Sequence, residues 1–257
     1  MTEATDRTVL VTGASRGIGE AISRRFAADG ANVVMLARNG QALSELAEAL
    51  GRTGARALAV PGDVGTYADV ERAVAMAIDR FGRIDVLVNN AGLIEPIARL
   101  ADSDPELWGR IADVNFKGVY HGLRAAIPAM LQTGGGTIVN ISSGAATSAL
   151  EGWSHYCSTK AAVRSLTACA AAEYGAQGIR VVGLSPGTVA TDMQTAIRSS
   201  GINPVSRLDP SAHIPADWVA QAVVFLCGEG GAAFAGTDFS LKTEDGRRLA
   251  ELPPLSG

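Results

Sequence analysis

The stretch 8–38, TVLVTGASRGIGEAISRRFAADGANVVMLAR, constrains the fold more than any other part of the chain. The apolar run at 9–11 reads as a buried strand, and 12–19 as a glycine-rich turn. Residues 20–29 have helical periodicity, with Ala21, Ile22, Phe26 and Ala27 on one side, and Gly30 stops them. A second apolar run occupies 33–37. Strand, turn, helix and strand within about 30 residues make a unit of dinucleotide-binding size. Phosphate binds helix N-termini because the first backbone N–H groups are unpaired and the helix dipole is positive there. A side chain at Gly13, Gly17 or Gly19 would block the turn or hold a phosphate away, while Ser15, Arg16 and Ile18 fill the places between. The spacing is G-x-x-x-G-x-G, and a merely flexible glycine loop is the alternative.

Strand-like and helix-like segments alternate beyond that unit. Helical pattern covers 40–53, 67–81, 105–131, 155–174 and 216–226; strands are expected at 57–60, 86–89, 138–141, 181–184 and 238–241. Such alternation implies an α/β fold with a parallel sheet covered by helices on both faces. With no linker or low-complexity segment, 1–257 reads as a single domain. Apolar content of 47% and charged content of 19% exclude a disordered chain. A net charge of −4 argues against nucleic acid or acidic membrane as partner. No apolar run approaches the ~18 residues of a membrane span, and the polar N-terminus MTEATDR is not the pattern of a signal peptide. Cys157, Cys169 and Cys227 lack metal-site spacing and read as reduced core residues of a cytoplasmic protein. His121 and His213 form no ligand cluster, so no metal is expected.

The second strand ends Leu36-Ala37-Arg38-Asn39, without the acid that would hold an adenine ribose hydroxyl. Arg38, with Arg16 in the glycine turn, suits the 2′-phosphate of NADP(H) instead. Two such charged contacts favour NADP over NAD by on the order of 100-fold. Tyr156 and Lys160, four apart on a helix, are neighbours on one face. The ammonium is expected to lower the phenol pKa, so that Tyr156 exchanges a proton with a carbonyl or alcohol oxygen. Ser143 ends the strand at 138–141 on the ligand-binding edge of a parallel sheet, as do Asn89, Asn90, Ala91 and Gly92 on another strand. Asn115 lies in an apolar helical stretch and needs a partner if buried.

The motifs TGASRGIG (12–19), NNAG (89–92), Asn115, the NISS strand end, YCSTK (156–160) and PGTVATDM (186–193) occur in the order seen in the short-chain dehydrogenase/reductase family, which the chain resembles over about 8–241. The resemblance implies a Rossmann-type, doubly wound sheet of about seven strands in the order 3-2-1-4-5-6-7. It implies Tyr156 as proton donor and acceptor, with Lys160 lowering its pKa and bonding the nicotinamide ribose. Ser143 would polarise the substrate carbonyl, and Asn115 would hold a water in a proton relay. Asp63 and Val64 would contact adenine, and Asn90, Ala91 and Gly92 would lie near the ribose. Pro186, Gly187, Val189 and Thr191 would form the nicotinamide-side loop, with the Val189 N–H on the carboxamide. A small-molecule carbonyl or alcohol substrate and a homo-oligomer, tetramer or dimer, follow from the same resemblance.

The C-terminal SLKTEDGRRLAELPPLSG departs from the family's apolar–Asp–Gly–Gly ending and reads as a charged tail. Substrate choice is expected to lie in 93–97, 145–155 and 192–214, the last a mobile lid with Met193, Ile197, Ile202, Val205 and Leu208 among polar residues. Trp153, Leu93 and those lid residues suggest an apolar ketone pocket. His155 reads as a surface histidine at a helix start, with substrate contact as the alternative. The small-residue helix 158–172 has one face for the sheet and another for a partner subunit. A 3-oxoacyl-thioester reductase, a hydroxysteroid dehydrogenase and a broad ketone reductase stay open at this stage, as does an NADP-binding protein without turnover.

Overall fold

A computed structural model describes residues 7–254. The segment 1–6, on which the signal-peptide reading rests, and 255–257 lie outside the described residues. Seven parallel strands form one sheet in the order β3-β2-β1-β4-β5-β6-β7. They are β1 (Thr8–Thr12), β2 (Asn32–Ala37), β3 (Ala57–Pro61), β4 (Val86–Asn89), β5 (Gly136–Ile141), β6 (Ile179–Ser185) and β7 (Asp238–Ser240). The central strands are apolar at successive positions because both faces are covered. Successive residues point to opposite sides. Val9, Val11, Val33 and Met35 join one core, whereas Leu10, Val34 and Leu36 join the other.

The first core is closed by α1 (Gly17–Ala28), α2 (Gly40–Gly51) and α8 (Ala216–Cys227) through Ile22, Phe26, Leu43, Leu46, Val219 and Val223. The second is closed by α3 (Tyr67–Phe81), α5 (Gly118–Gln132) and α6 (Ser154–Tyr174) through Val70, Ala73, Leu123, Ile127 and Val163. Strand order reverses between β1 and β4, which opens a crevice at the carboxyl ends of the strands.

The stretch expected as one helix-rich run divides into α4 (Pro105–Ala112), a π-helical turn at Asp113–Lys117, and α5. Helical periodicity does not register one wider turn. A buried polar ladder ties β4, β5 and α6 together: Asn89 Nδ2 donates to Asn140 Oδ1 at 2.9 Å, and Asn140 Nδ2 to Thr167 Oγ1 at 2.9 Å. The tail beyond β7 is not merely a charged extension. It turns into α9 (Glu244–Leu249), capped by Thr243 Oγ1, which accepts from the Gly246 N–H at 3.1 Å. Arg247 is buried there and donates to the Leu241 carbonyl at 2.8 Å.

Two other expectations fail on burial. Cys169 faces out from α6, because the helix turns only Val163, Thr167 and Ala170 of that stretch inward. His155 is buried, with its Nε2–H donating to the Ile94 carbonyl at 2.7 Å, and is not a surface residue. It anchors the segment after β4 to the start of α6. Among the described residues no helix is long and apolar enough to cross a membrane, and no three His, Cys, Asp or Glu side chains are grouped to share a metal.

Candidate active site

A cleft of about 770 Å³ runs along the carboxyl edge of the sheet. Its size is that of a small-molecule or cofactor site. One end is built by the glycine turn. Gly13 has φ +64°, and a Cβ there would sit 2.8 Å from Ala91 Cα. The strand end of β4 is stitched to this turn: Asn90 Nδ2 donates to the Thr12 carbonyl at 2.9 Å and to the Gly13 carbonyl at 3.2 Å. Thr12 Oγ1 accepts from the N–H groups of Asn90 at 3.0 Å and Ala91 at 3.1 Å. Thr12 belongs to the TGASRGIG motif, but only its place at the end of an apolar strand marks its hydroxyl as an acceptor for the end of β4. α1 begins at Gly17, three residues before the periodic pattern, and no side chain caps its N-terminus. Its first N–H groups therefore have no side-chain acceptor at the cleft.

Gly19 is buried beneath the turn, and neither it nor Ser15 lines the cleft. A Cβ on Gly19 would lie 2.3 Å from the Gly13 carbonyl oxygen, which is backbone and cannot swing aside. Gly19→Ala is therefore expected to destabilise the protein by about 1–3 kcal/mol, the usual cost of overpacking. Urea unfolding at equilibrium measures it; an unchanged midpoint would mean that the turn yields.

Arg16 and Arg38 both line the cleft. Arg16 pairs with Asp192 at 2.9 Å, both side chains largely exposed, whereas Arg38 has no ion pair among the described residues. Asp63 and Val64 also line it; the Asp63 carboxylate is taken by Arg110 and accepts from the Gly65 N–H at 2.9 Å. Pro186, Gly187, Val189 and Thr191 form the far wall. A bridge there uses the N–H groups of Ala190 and Ile214 and the Thr188 carbonyl, leaving the Val189 N–H without a backbone acceptor among the described residues.

Ser143, Tyr156 and Lys160 all line the cleft. Ser143 Oγ accepts from the Ala145 N–H at 3.1 Å, which leaves its own proton for the Tyr156 phenol. Trp153 packs edge-on against the Tyr156 ring at 5.5 Å. Lys160 Nζ donates to the Ile141 carbonyl at 2.6 Å and stands 5.6 Å from the Tyr156 ring centre. Contrary to expectation, the phenol pKa is raised, to about 12: burial outweighs the lowering by the Ser143 hydrogen bond. Burial also lowers Lys160 to about 8, with Asp238 opposing it. An ammonium spent on a main-chain carbonyl does not offset the phenol's loss of water.

These shifts make stability depend on pH. An unfolded chain keeps the Lys160 proton up to 10.5, while the folded protein releases it near about 8. The unfolded state binds more protons in that window, so this group's contribution to stability rises with pH across it. Tyr156 acts oppositely from 10.0 to about 12, where the folded state holds the extra proton and stability falls. In cofactor-free protein, Lys160→Met is expected to remove the gain that begins near about 8. Melting temperature against pH checks this, and parallel curves for the two proteins would refute it.

Asn115 lies within the π-helical turn, fully buried and outside the cleft lining. Its Oδ1 accepts from the Leu93 N–H at 2.7 Å, and its Nδ2 donates to the Leu93 carbonyl at 2.8 Å and to Thr159 Oγ1 at 3.4 Å. It thus clamps the segment that follows Gly92. Asn90, Ala91 and Gly92 all face the cleft. The segment 192–214 is not irregular: α7 (Asp192–Ser200) and two short 3₁₀ turns pack Ile197 and Val205 against Ile94, Trp153 and Tyr156. Asn203 Nδ2 pins it to the Glu151 carbonyl at 3.0 Å. Met193, Ile197, Val205 and Leu208 line the cleft beside Leu93, Leu150 and Trp153.

The family model described as short chain dehydrogenase matches residues 7–201. The 2-(R)-hydroxypropyl-CoM dehydrogenase of Xanthobacter autotrophicus is 40% identical over 232 residues, covering 87% of this chain and 92% of its own. The A-factor type gamma-butyrolactone 1'-reductase (1S-forming) of Streptomyces virginiae is 38% identical over 239 residues, covering 91% and 93%. The crystal structure of the KRED1-Pglu enzyme superimposes with a TM-score of 0.83 at 32% identity, over 90% of this chain and 99% of that one.

Proposed function

Because this chain belongs to the short-chain dehydrogenase family, an oxidoreductase family dependent on a nicotinamide cofactor, we propose that it is an NADPH-dependent carbonyl reductase acting on ketones or secondary alcohols. The observation that carries this reading is the convergence of Ser143, Tyr156 and Lys160 on a cleft whose other end is the glycine turn. The cofactor fits that cleft: Gly13 has no room for a Cβ, and the N-terminus of α1 is uncapped. Gly13, Ser15, Gly17, Ile18 and Gly19 would shape the phosphate site, and Arg16 and Arg38 would hold the 2′-phosphate. Asp63 and Val64 would flank the adenine, and Asn90, Ala91 and Gly92 the ribose. Pro186, Gly187, Val189 and Thr191 would frame the nicotinamide, with the Val189 N–H on its carboxamide.

When bound, the nicotinamide supplies the hydride. Tyr156 gives its phenolic proton to the carbonyl oxygen, and Ser143 donates a hydrogen bond to the same oxygen. The phenol is protonated at neutral pH, the state a proton donor needs, and burial holds its pKa above the ordinary value. Lys160 would have to leave the Ile141 carbonyl to stabilise the phenolate left behind. Both amide hydrogens of Asn115 are committed, so a relaying water would rest on its main-chain carbonyl.

Exposed Ala161, Ser165, Ala168 and Ala172 on α6, with exposed Phe116 in the π-helical turn and Tyr120 in α5, support a homodimer or homotetramer. Three unpaired cysteines support a cytoplasmic setting, and the single sheet supports one domain over 1–257. The apolar cleft wall favours ketones generally, with 3-oxoacyl thioesters and hydroxysteroids as narrower candidates. The test is NADPH absorbance with a ketone panel that includes a 3-oxoacyl thioester and a steroid ketone. Tight NADPH binding with no oxidation by any member would favour a non-catalytic, nucleotide-binding protein.

A further inference from the structure

We propose that Lys242 is an anion-recognition residue at the substrate end of the cleft, so that preferred substrates are ketones bearing a carboxylate or a similar acid group. Lys242 stands two residues beyond β7, where the Leu241 N–H donates to the Ser185 carbonyl at 3.0 Å. The chain is fixed there on both sides: the Lys242 N–H donates to Ser240 Oγ at 3.2 Å, and Thr243 caps α9 immediately afterwards. Its stem lies across two positions without side chains. A Cβ on Gly187 would be 3.1 Å from Lys242 Cγ, and a Cβ on Gly144 would be 3.5 Å from Lys242 Nζ. Gly144 follows Ser143, and Gly187 follows Pro186. The ammonium is thereby directed to the part of the cleft where the carbonyl would be held.

Charge makes this lysine distinct. The acids that line the cleft, Asp63 and Asp192, are already paired with Arg110 and Arg16. Lys160 is buried and bonded to Ile141, and Arg38 follows β2, three strands from β5 in the sheet. Lys242 lines the cleft with no ion pair among the described residues, and Trp153, Leu150, Met193 and Leu208 line the same cleft. A cation beside an apolar wall recognises a molecule with an apolar body and one acidic end. An acid group there would take a charge-assisted hydrogen bond from the ammonium.

This inference rests on the reductase reading, and the experiment separates the two. Acetoacetate, levulinate and their methyl esters are compared as substrates of wild type and Lys242→Gln, and calorimetry measures binding of the acids apart from turnover. In wild type, at least one acid is expected to exceed its ester in kcat/KM by about tenfold or more, the scale of one charged hydrogen bond. In Lys242→Gln that ratio is expected to fall towards one. Esters preferred throughout, or a ratio untouched by the substitution, would overturn the proposal. A loss of NADPH affinity matching the loss of acid affinity would overturn it too, by assigning the lysine to a cofactor phosphate. Acids that bind wild type but not the variant, with no ketone ever reduced, would support the anion site and refute the reductase reading. Esters reduced while no acid binds would do the reverse.

Discussion

Tyr156→Phe is expected to lower kcat by about a thousandfold while leaving NADPH affinity within a factor of about two, since general acid catalysis supplies some 10²–10⁴-fold. The substitution removes one oxygen from a buried ring that otherwise keeps its packing against Trp153. The phenol has no other candidate as proton donor beside it. Ser143 is an alcohol, and Lys160 is turned to the Ile141 carbonyl. The loss is therefore expected in kcat and not in cofactor binding, which depends on the glycine turn and the arginines. Stopped-flow NADPH oxidation with an active ketone measures the first quantity, and quenching of protein fluorescence by NADPH the second. Near-normal turnover would take the proton transfer away from this residue.

The β1–α1–β2 unit was legible because its signals are local and strong. Apolar runs mark strands buried on both faces, and glycines mark a turn where a Cβ has no room, as at Gly13. Four-residue spacing paired Tyr156 with Lys160, a strand end put Ser143 on the ligand edge, and the resemblance to the family joined the three. What escaped was set by tertiary contacts without a periodic trace. The π-helical turn at Asn115 adds width where spacing alone predicts an unbroken helix, and it carries the side chain that clamps Leu93. α7 and α9 are short and polar, so their anchors are few: the apolar Ile197 in one, and the Arg247 hydrogen bond to the Leu241 carbonyl in the other. His155 looked like a surface residue because a helix start is usually exposed, yet its ring meets the Ile94 carbonyl across 61 positions of sequence. The sign of the Tyr156 shift was missed for a related reason. Four-residue spacing shows that an amine is near, but not that a carbonyl has already taken it.

Cofactor choice gives the second large effect. Arg38→Asp is expected to weaken NADPH binding by about a hundredfold or more and to leave NADH binding unchanged or tighter. Arg38 follows the carboxyl end of β2, exposed and lining the cleft, while Asn39 spends its own side chain capping α2 through the Ala42 N–H at 3.1 Å. The guanidinium is thus unengaged at the position where an acid would receive a ribose hydroxyl. Aspartate there would repel a 2′-phosphate and accept from a 2′-hydroxyl, so one substitution removes an attraction for one cofactor and creates one for the other. At about 1.4 kcal/mol per tenfold, a lost charged hydrogen bond and a new repulsion together reach two decades. Arg16 retains part of the preference, because its pair with Asp192 is exposed at both ends and exposed pairs hold only about 0–1 kcal/mol. That pair can open to admit a phosphate. Asp192→Asn should therefore strengthen NADPH binding slightly, and Arg38→Asp combined with Arg16→Ala should favour NADH outright. Titrations of both cofactors against all three proteins decide the matter: an equal loss for NADPH and NADH in Arg38→Asp would mean that the arginine serves the adenine or the fold, and not the phosphate.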